Sequence, residues 1–281
     1  MKRVLQHARR AASVDTTVLI AGEPGTGKSL LAKEIHRNSH RRYAPLINYY
    51  PAQLKSGDAL FGSTDATDDR TSGSNGAVHR ANKGTLLIHE IAALDLTDQA
   101  RLLNMIESNT ATAGNTSQGH LLDVRFIATT SRDLNSEVKA GRFRNDLLYR
   151  VSVFPIRLPP LRSRREDIPA LVRHFLDQHP GENTPELESR LIEVFADLEW
   201  PGNIRQLKHA VDSMVRSPLQ SSVSIGSAAK GGGGVQLTDV EKETILAVLH
   251  EHDGNRTRAA KSLGISVRTL QRRLRQWHLD E

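Results

Sequence analysis

The octapeptide GEPGTGKS at positions 22–29 constrains the fold of this chain more than any other stretch. It follows the apolar run VLIA at 18–21 and precedes helix-forming residues at 28–36, so it joins a buried strand to a helix. Its glycines allow a tight turn with inward-pointing N–H groups, and the helix N-terminus adds partial positive charge. We therefore predict a phosphate-binding P-loop. Its predicted contacts are Gly22, Glu23, Pro24, Gly25, Thr26, Gly27, Lys28 and Ser29.

Two side chains of this loop have specific expected roles. Lys28 should reach the terminal phosphates of a nucleotide, and the Ser29 hydroxyl should bind a magnesium ion. The alternative, a glycine-rich turn with an unrelated lysine, is disfavoured because the complete G-x-x-x-x-G-K-S pattern and the strand-helix context agree.

Further apolar runs predict an α/β fold with a mostly parallel sheet. Strands are expected at 46–49, 85–88, 124–130 and 152–158, with a helix at 97–108 and an exposed loop at 63–76. The strand at 46–49 is expected beside the one that precedes the P-loop. Alternating strands and helices place helices on both faces of the sheet, and ligands then bind at its carboxyl edge.

Composition limits the class of protein. A length of 281 residues predicts two or three compact units, and the absence of cysteine excludes disulfides, thiol catalysis and cysteine-ligated zinc. No stretch has the continuous apolar character of a signal peptide or membrane span, so we expect a cytoplasmic protein without a membrane partner. The net charge of +6 indicates a polyanionic partner. A polar helix is predicted at 1–16, and because the sequence starts abruptly at this helix we expect that an N-terminal domain is missing.

Six ordered segments resemble the AAA+ domain of bacterial enhancer-binding proteins, which activate the sigma-54 RNA polymerase. They are ALFG (59–62), KGTLLIHEI (83–91), DVRFIATTSRDL (123–134), GRFRNDLLYR (141–150), PIRLPPLRSRREDIP (155–169) and WPGNIRQL (200–207). The resemblance runs from about residue 4 to residue 216. It implies an AAA+ α/β subdomain at 1–160, a helical lid at 161–216, ATP or ADP as the nucleotide, and assembly of subunits into a ring.

The same resemblance implies roles for individual residues. Glu90 matches the catalytic glutamate that polarises the attacking water, and Asn48 matches the asparagine that holds this glutamate in check. Arg144 and Arg150 match the paired arginines that reach the γ-phosphate in a neighbouring subunit. Arg205 matches the sensor arginine of the lid. Where this chain has Ser29, the family usually has glutamate.

Three positions depart from the family pattern. His89 replaces the aspartate that holds hydrated magnesium, and Ser131 replaces the sensor asparagine near the γ-phosphate. Residues 66–71 align with the GAFTGA loop that grips sigma-54, and Asp68 replaces its aromatic residue. All three affect the coupling of hydrolysis to sigma-54. We therefore expect nucleotide binding with a weakened magnesium site, little or no hydrolysis, and action with the main-sigma polymerase or as a repressor.

The sequence leaves several alternatives open for hydrolysis, metal binding and the ligand. The substitutions are also compatible with drift in a working ATPase that activates sigma-54 polymerase. Asp95 or Asp123 could replace the lost aspartate, or His89 could be a new metal ligand. Some relatives bind cyclic di-GMP, and this dinucleotide is a further possible ligand of the P-loop face.

The C-terminal part of the chain predicts a DNA-binding domain. Residues 217–235 contain four consecutive glycines and small polar residues, as in a flexible linker. Residues 236–281 then show a helix, a second helix at 257–263, a turn, and a basic third helix at 267–277. The segment resembles the Fis-type helix-turn-helix, which implies dimerisation through residues 238–252 and binding of double-stranded DNA with inverted half-sites.

The third helix separates an apolar face from a basic face. Arg268, Gln271 and Arg272 are the predicted base contacts. The predicted phosphate contacts are Thr257, Arg258, Arg273 and Arg275. The alternative is a basic helix that only contributes solubility, but no acidic residue interrupts this face.

Overall fold

The computed structural model describes residues 1–53, 58–62, 76–108, 110–111, 120–179 and 185–216. The predicted linker, the predicted helix-turn-helix and the segment aligned with the GAFTGA loop lie outside these residues. The helices are α1 (Lys2–Ala12), α2 (Lys28–Arg37), α3 (Asp58–Phe61), α4 (Ala77–Arg80), α5 (Leu96–Ser108), α6 (Leu134–Lys139), α7 (Asn145–Val151), α8 (Ile168–Leu176), α9 (Pro185–Ala196) and α10 (Asn203–Arg216). The strands are β1 (Val18–Ala21), β2 (Leu46–Tyr49), β3 (Thr85–Ile88), β4 (Thr110–Ala111), β5 (His120–Leu121), β6 (Arg125–Thr130) and β7 (Phe154–Arg157). Short 3-10 helices occur at Ile91–Ala93, Leu161–Ser163 and Arg165–Asp167.

Five strands form a parallel sheet in the order β2-β3-β6-β1-β7. The prediction that β2 lies beside β1 is wrong, because β6 and β7 occupy the two edges of β1. Burial explains this arrangement: all six residues of β6 are buried, whereas only Tyr49 of β2 is buried. A strand with partly exposed side chains suits the edge of the sheet, and β2 pairs there with β3 alone.

Helices cover both faces of the sheet, as predicted. Leu19 faces a core that includes residues of α5 and α7, and Ile20 faces a second core built with α1 and α2. This alternation follows from the two-residue period of a strand. Because both faces are covered, the carboxyl edge of β1 and β6 is the part of the sheet left for a ligand.

The segment that follows β7 is helical. Trp200 is 3% exposed, and its indole N–H donates to the Phe195 carbonyl at 3.0 Å. This contact joins the end of α9 to the turn before α10, and both belong to the compact unit Met1–Val215 together with the sheet. In the described ranges, no helix is both long and apolar enough to span a lipid bilayer.

Candidate functional site

The P-loop leaves β1 at its carboxyl end and enters α2, as predicted. Gly25 has φ 80° and Gly27 has φ 100°, a left-handed backbone that favours glycine. A Cβ on Gly25 would lie 2.3 Å from the Gly202 carbonyl oxygen, so a side chain has no room there. The loop therefore depends on glycine for its conformation and for its close approach to the lid.

Lys28 is the first residue of α2 and is 8% exposed. Its ammonium donates to the carbonyl oxygens of Gly22 at 2.8 Å and Glu23 at 3.3 Å. It also forms an ion pair with Glu90 Oε1 at 3.2 Å. The lysine thus joins the start of the P-loop to the end of β3.

Glu90 follows β3 in a left-handed conformation, with φ 54° and ψ 60°. Such a backbone is strained for a residue other than glycine and is common at functional sites. The backbone N–H and the hydroxyl of Ser131 both donate to Glu90 Oε2 at 2.7 Å. Burial raises the pKa of Glu90, but hydrogen bonds from Ser131 and the nearby Lys28 ammonium outweigh it and lower this pKa overall. The carboxylate is therefore ionised, and both of its oxygens are engaged.

His89 is 7% exposed and lies between two polar side chains. Its Nδ1 is 3.3 Å from Ser29 Oγ, and its Nε2 is 3.0 Å from Asn48 Oδ1. Because an amide oxygen only accepts, Nε2 carries the ring proton and Nδ1 accepts the Ser29 hydroxyl proton. The ring stacks on Tyr50 with centroids 4.2 Å apart. Burial lowers the pKa of His89, and Lys33 and Lys28 add to this effect against the opposing influence of Glu90.

These donors do not fit a magnesium ion well. Mg²⁺ prefers oxygen ligands and waters held by carboxylates, whereas a neutral imidazole supplies no negative charge. Within the described ranges, no three His, Cys, Asp or Glu side chains form a group that could hold a metal ion, so a new metal site at His89 gains no support there.

The two suggested replacement carboxylates serve other roles. Asp123 lies at the amino end of β6, opposite the P-loop edge, where it accepts from Arg41 Nη2 at 2.6 Å. Its suggested role as a magnesium ligand is therefore wrong. Asp95 immediately precedes α5, and its Oδ1 accepts the Asp98 N–H at 2.7 Å, which caps the helix.

Asn48, the asparagine predicted to restrain Glu90, contacts His89 instead. Asn48 lies near the carboxyl end of β2, and its Oδ1 contacts His89, the residue before Glu90. The Asn48 oxygen therefore contacts His89 rather than Glu90. A restraint of Glu90 by this oxygen would act through His89.

The two predicted arginine fingers lie at either end of α7. Arg144 pairs with Asp146 at 2.7 Å, and Arg150 pairs with Glu107 at 2.9 Å. Their side chains are 41% and 56% exposed. Both guanidinium groups thus pair with carboxylates at the surface and are accessible to solvent. Their predicted contact with another subunit stays a prediction.

The lid packs against the P-loop, and sequence reasoning missed most of these contacts. Arg205 is exposed, with its Cβ 3.2 Å from a Cβ placed on Gly25, so the predicted sensor arginine does lie beside the loop. Arg162 donates to both carboxylate oxygens of Glu23, from Nη2 at 2.6 Å and from Nη1 at 2.8 Å. The sequence did contain a signal for this contact, namely an acidic residue, Glu23, within a phosphate-binding loop. Its negative charge requires a nearby cation.

A cavity of about 520 Å³ opens at the carboxyl edge of β1, β6 and β7. Its wall includes Gly22, Glu23, Ser131 and Arg157. The cavity lies at the edge where the strand order predicts a ligand.

A parallel sheet with a P-loop at the end of β1, followed by a helical lid, is the AAA+ P-loop fold. Residues 1–157 match the Sigma-54 interaction domain family, residues 162–226 the AAA+ ATPase lid domain, and residues 236–277 the Fis family of bacterial regulatory proteins. The chain belongs to the Sigma-54 interaction domain family, whose members include the bacterial enhancer-binding transcription regulators. This confirms the family resemblance seen in the sequence.

Individual relatives agree with this assignment. The transcriptional regulatory protein ZraR of Klebsiella oxytoca is 38% identical over 96% of this chain, and the regulatory protein AtoC of Escherichia coli is 35% identical over 100% of it. Crystal structures of NtrX from Brucella abortus with ATP and with ADP give TM-scores of 0.69 and 0.70 at 27% and 26% identity over 98% of this chain. The chain spans about two thirds of the length of these relatives, 66–67%.

Proposed function

We propose that this chain is a DNA-binding transcription regulator whose AAA+ domain binds ATP or ADP but hydrolyses ATP slowly, without acting through sigma-54. The observation that carries this proposal is the position of His89. A neutral ring accepts the Ser29 hydroxyl proton at the place where the family has a carboxylate to hold hydrated magnesium. The relative NtrX has been crystallised with both ATP and ADP, and the left-handed backbone at Gly25 and Gly27 supports a phosphate-binding role for the P-loop here.

The side chains suggest how nucleotide would be received. Phosphates would draw the Lys28 ammonium away from Glu90 and bind the N–H groups at the start of α2. Glu90 would then keep its two hydrogen bonds from Ser131, which hold one carboxylate oxygen that could otherwise contact water. Slow hydrolysis follows from both features, the missing charge at His89 and the occupied oxygen of Glu90.

The C-terminal segment supports the DNA-binding part of the proposal. Its match to the Fis family covers residues 236–277, which include all seven predicted DNA contacts. We propose that a dimer formed through this segment binds inverted half-sites, and that AAA+ domains assemble into a ring whose nucleotide state tunes promoter occupancy. The polymerase partner would carry the main sigma factor.

A second candidate function is an ATP-hydrolysing activator of sigma-54 polymerase. It is favoured by the ionised Glu90 beside Lys28 and by the exposed arginines Arg144 and Arg150. These groups would suffice for some catalysis if a neighbouring subunit supplied its arginines to the γ-phosphate.

In vitro transcription distinguishes the two candidates. The template is a promoter fragment to which the regulator binds. It is transcribed by polymerase that carries either the main sigma factor or sigma-54. The regulator is supplied with either ATP or a non-hydrolysable ATP analogue. The proposal predicts that output from the main-sigma polymerase changes equally with both nucleotides. Activation of sigma-54 polymerase by ATP alone would support the second candidate and refute the first.

A further inference from the structure

Three successive carbonyl groups of the P-loop accept hydrogen bonds from the segment after β7. The Pro24 oxygen accepts from Asn203 Nδ2 at 3.1 Å, and the Gly25 oxygen accepts from the Ile204 N–H at 3.0 Å. The Thr26 oxygen accepts from Arg164 Nη2 at 2.8 Å. Together with the contacts of Lys28 on the two preceding carbonyls, every carbonyl from residue 22 to residue 26 has a donor.

This pattern fixes the direction of the N–H groups. A trans peptide is planar, so its N–H points opposite to its carbonyl, and no cis peptide is present in the described ranges. When the lid holds the oxygens of Pro24 and Thr26, the N–H groups of Gly25 and Gly27 turn away from the lid. In these two peptide groups the carbonyl faces the lid and the N–H faces the other way, which is the arrangement that binds an anion.

The Asn203 side chain contacts both the lid and the P-loop. It is fully buried at 0% exposure and has φ 53°, a strained backbone for asparagine. Its Oδ1 accepts the Leu161 N–H at 2.7 Å, and its Nδ2 also donates to Glu23 Oε2 at 3.1 Å. One amide thus joins the first and last parts of the lid to two consecutive residues of the P-loop.

A second contact supports the same connection. Glu23 holds Arg162 through two hydrogen bonds, and this contact and the one from Asn203 lower the pKa of Glu23 to about 2. The carboxylate is therefore ionised at neutral pH, and its ion pair with Arg162 adds to the contacts between the lid and the loop.

We propose that Asn203 is a positioning residue for nucleotide binding, which holds the Pro24 carbonyl towards the lid and so keeps the following N–H group of the P-loop in place without touching the nucleotide. This proposal rests on the proposed binding of ATP or ADP. According to this proposal, the contact between Asn203 and the P-loop determines both the position of the lid and the affinity of the P-loop for nucleotide.

Asn203→Asp tests the proposal. An aspartate keeps the shape and the acceptor for Leu161, but it cannot donate to Pro24 and it places a second carboxylate beside Glu23. Asn203→Gly is the second variant, since it removes the amide and relieves the positive φ. Arg173→Ala is the matched control, because Arg173 pairs with Glu188 inside the lid at 2.7 Å and forms no hydrogen bond or ion pair with the P-loop in the described part of the chain.

The measurement is the dissociation constant of a fluorescent N-methylanthraniloyl derivative of ADP, at a temperature where thermal melting shows each protein to be folded. We expect the dissociation constant to rise about tenfold in both Asn203 variants and to stay unchanged in the control. A lower Tm with an unchanged dissociation constant would give Asn203 a purely structural role and overturn the proposal. Failure of the wild-type protein to bind would instead overturn the proposed nucleotide binding, and this inference with it.

Discussion

The substitution His89→Asp should restore magnesium-dependent hydrolysis. His89 Nδ1 lies 3.3 Å from Ser29 Oγ, so an aspartate at this position would place negative charge beside the hydroxyl that is expected to meet the metal. Partners that orient a metal site typically change metal affinity by about 10- to 100-fold. A well-placed electrostatic contact typically changes turnover by about 100-fold. We therefore expect ATP turnover by the His89→Asp variant to be about 100-fold faster than that of the wild type. The magnesium concentration that gives half-maximal turnover should be at least about tenfold lower than for the wild type.

The control is His89→Asn, which has the shape of aspartate without its charge. Both variants lose the stacking of the ring on Tyr50, which lies 4.2 Å away and is worth about 0.5–1.5 kcal/mol beyond its buried area. The difference between them thus isolates the charge. The assay is phosphate release at saturating ATP while magnesium is titrated. Equal turnover of the two variants would show that the missing carboxylate does not limit hydrolysis, and the reasoning would fail.

Three further predictions concern binding and stability. Lys28→Ala should abolish the rise in Tm that ADP gives the wild type, and a preserved rise would contradict the role of Lys28. Glu23→Gln should lower Tm at pH 7. Because the pKa of Glu23 falls from 4.5 to about 2 on folding, this difference should shrink as pH drops from about 4.5 towards 2, and melting curves at several pH values check it. Arg275→Ala should weaken binding to all DNA sequences alike and reduce the slope of log affinity against log salt by about one, as measured by fluorescence anisotropy.

Much of the α/β fold was predictable because its signals are local. The apolar run at 46–49 and the run at 85–88 coincide with β2 and β3, and the P-loop lies where the octapeptide placed it. The neighbour of β2 was not predictable in this way. Strand order depends on contacts between distant segments, and the partly exposed side chains that suit β2 to the sheet edge are seen only in the structure.

The sequence identified most residues of the site, but it did not show which of them contact one another. The family resemblance located Glu90 and Ser131, yet the two hydrogen bonds between them depend on how the ends of β3 and β6 lie side by side. The contact of Asn48 with His89 likewise requires the pairing of β2 with β3. Asn203 gave no sign of its role, since its donors and acceptors meet the P-loop only after the lid folds back over it.

Steady-state ATP turnover, measured beside ATP affinity with and without magnesium, tests the central claim most directly. The account predicts clear binding that changes little when magnesium is removed, with turnover well below the order of 1 per second that is typical of enzymes. Turnover at or above that rate, with a steep requirement for magnesium, would contradict it.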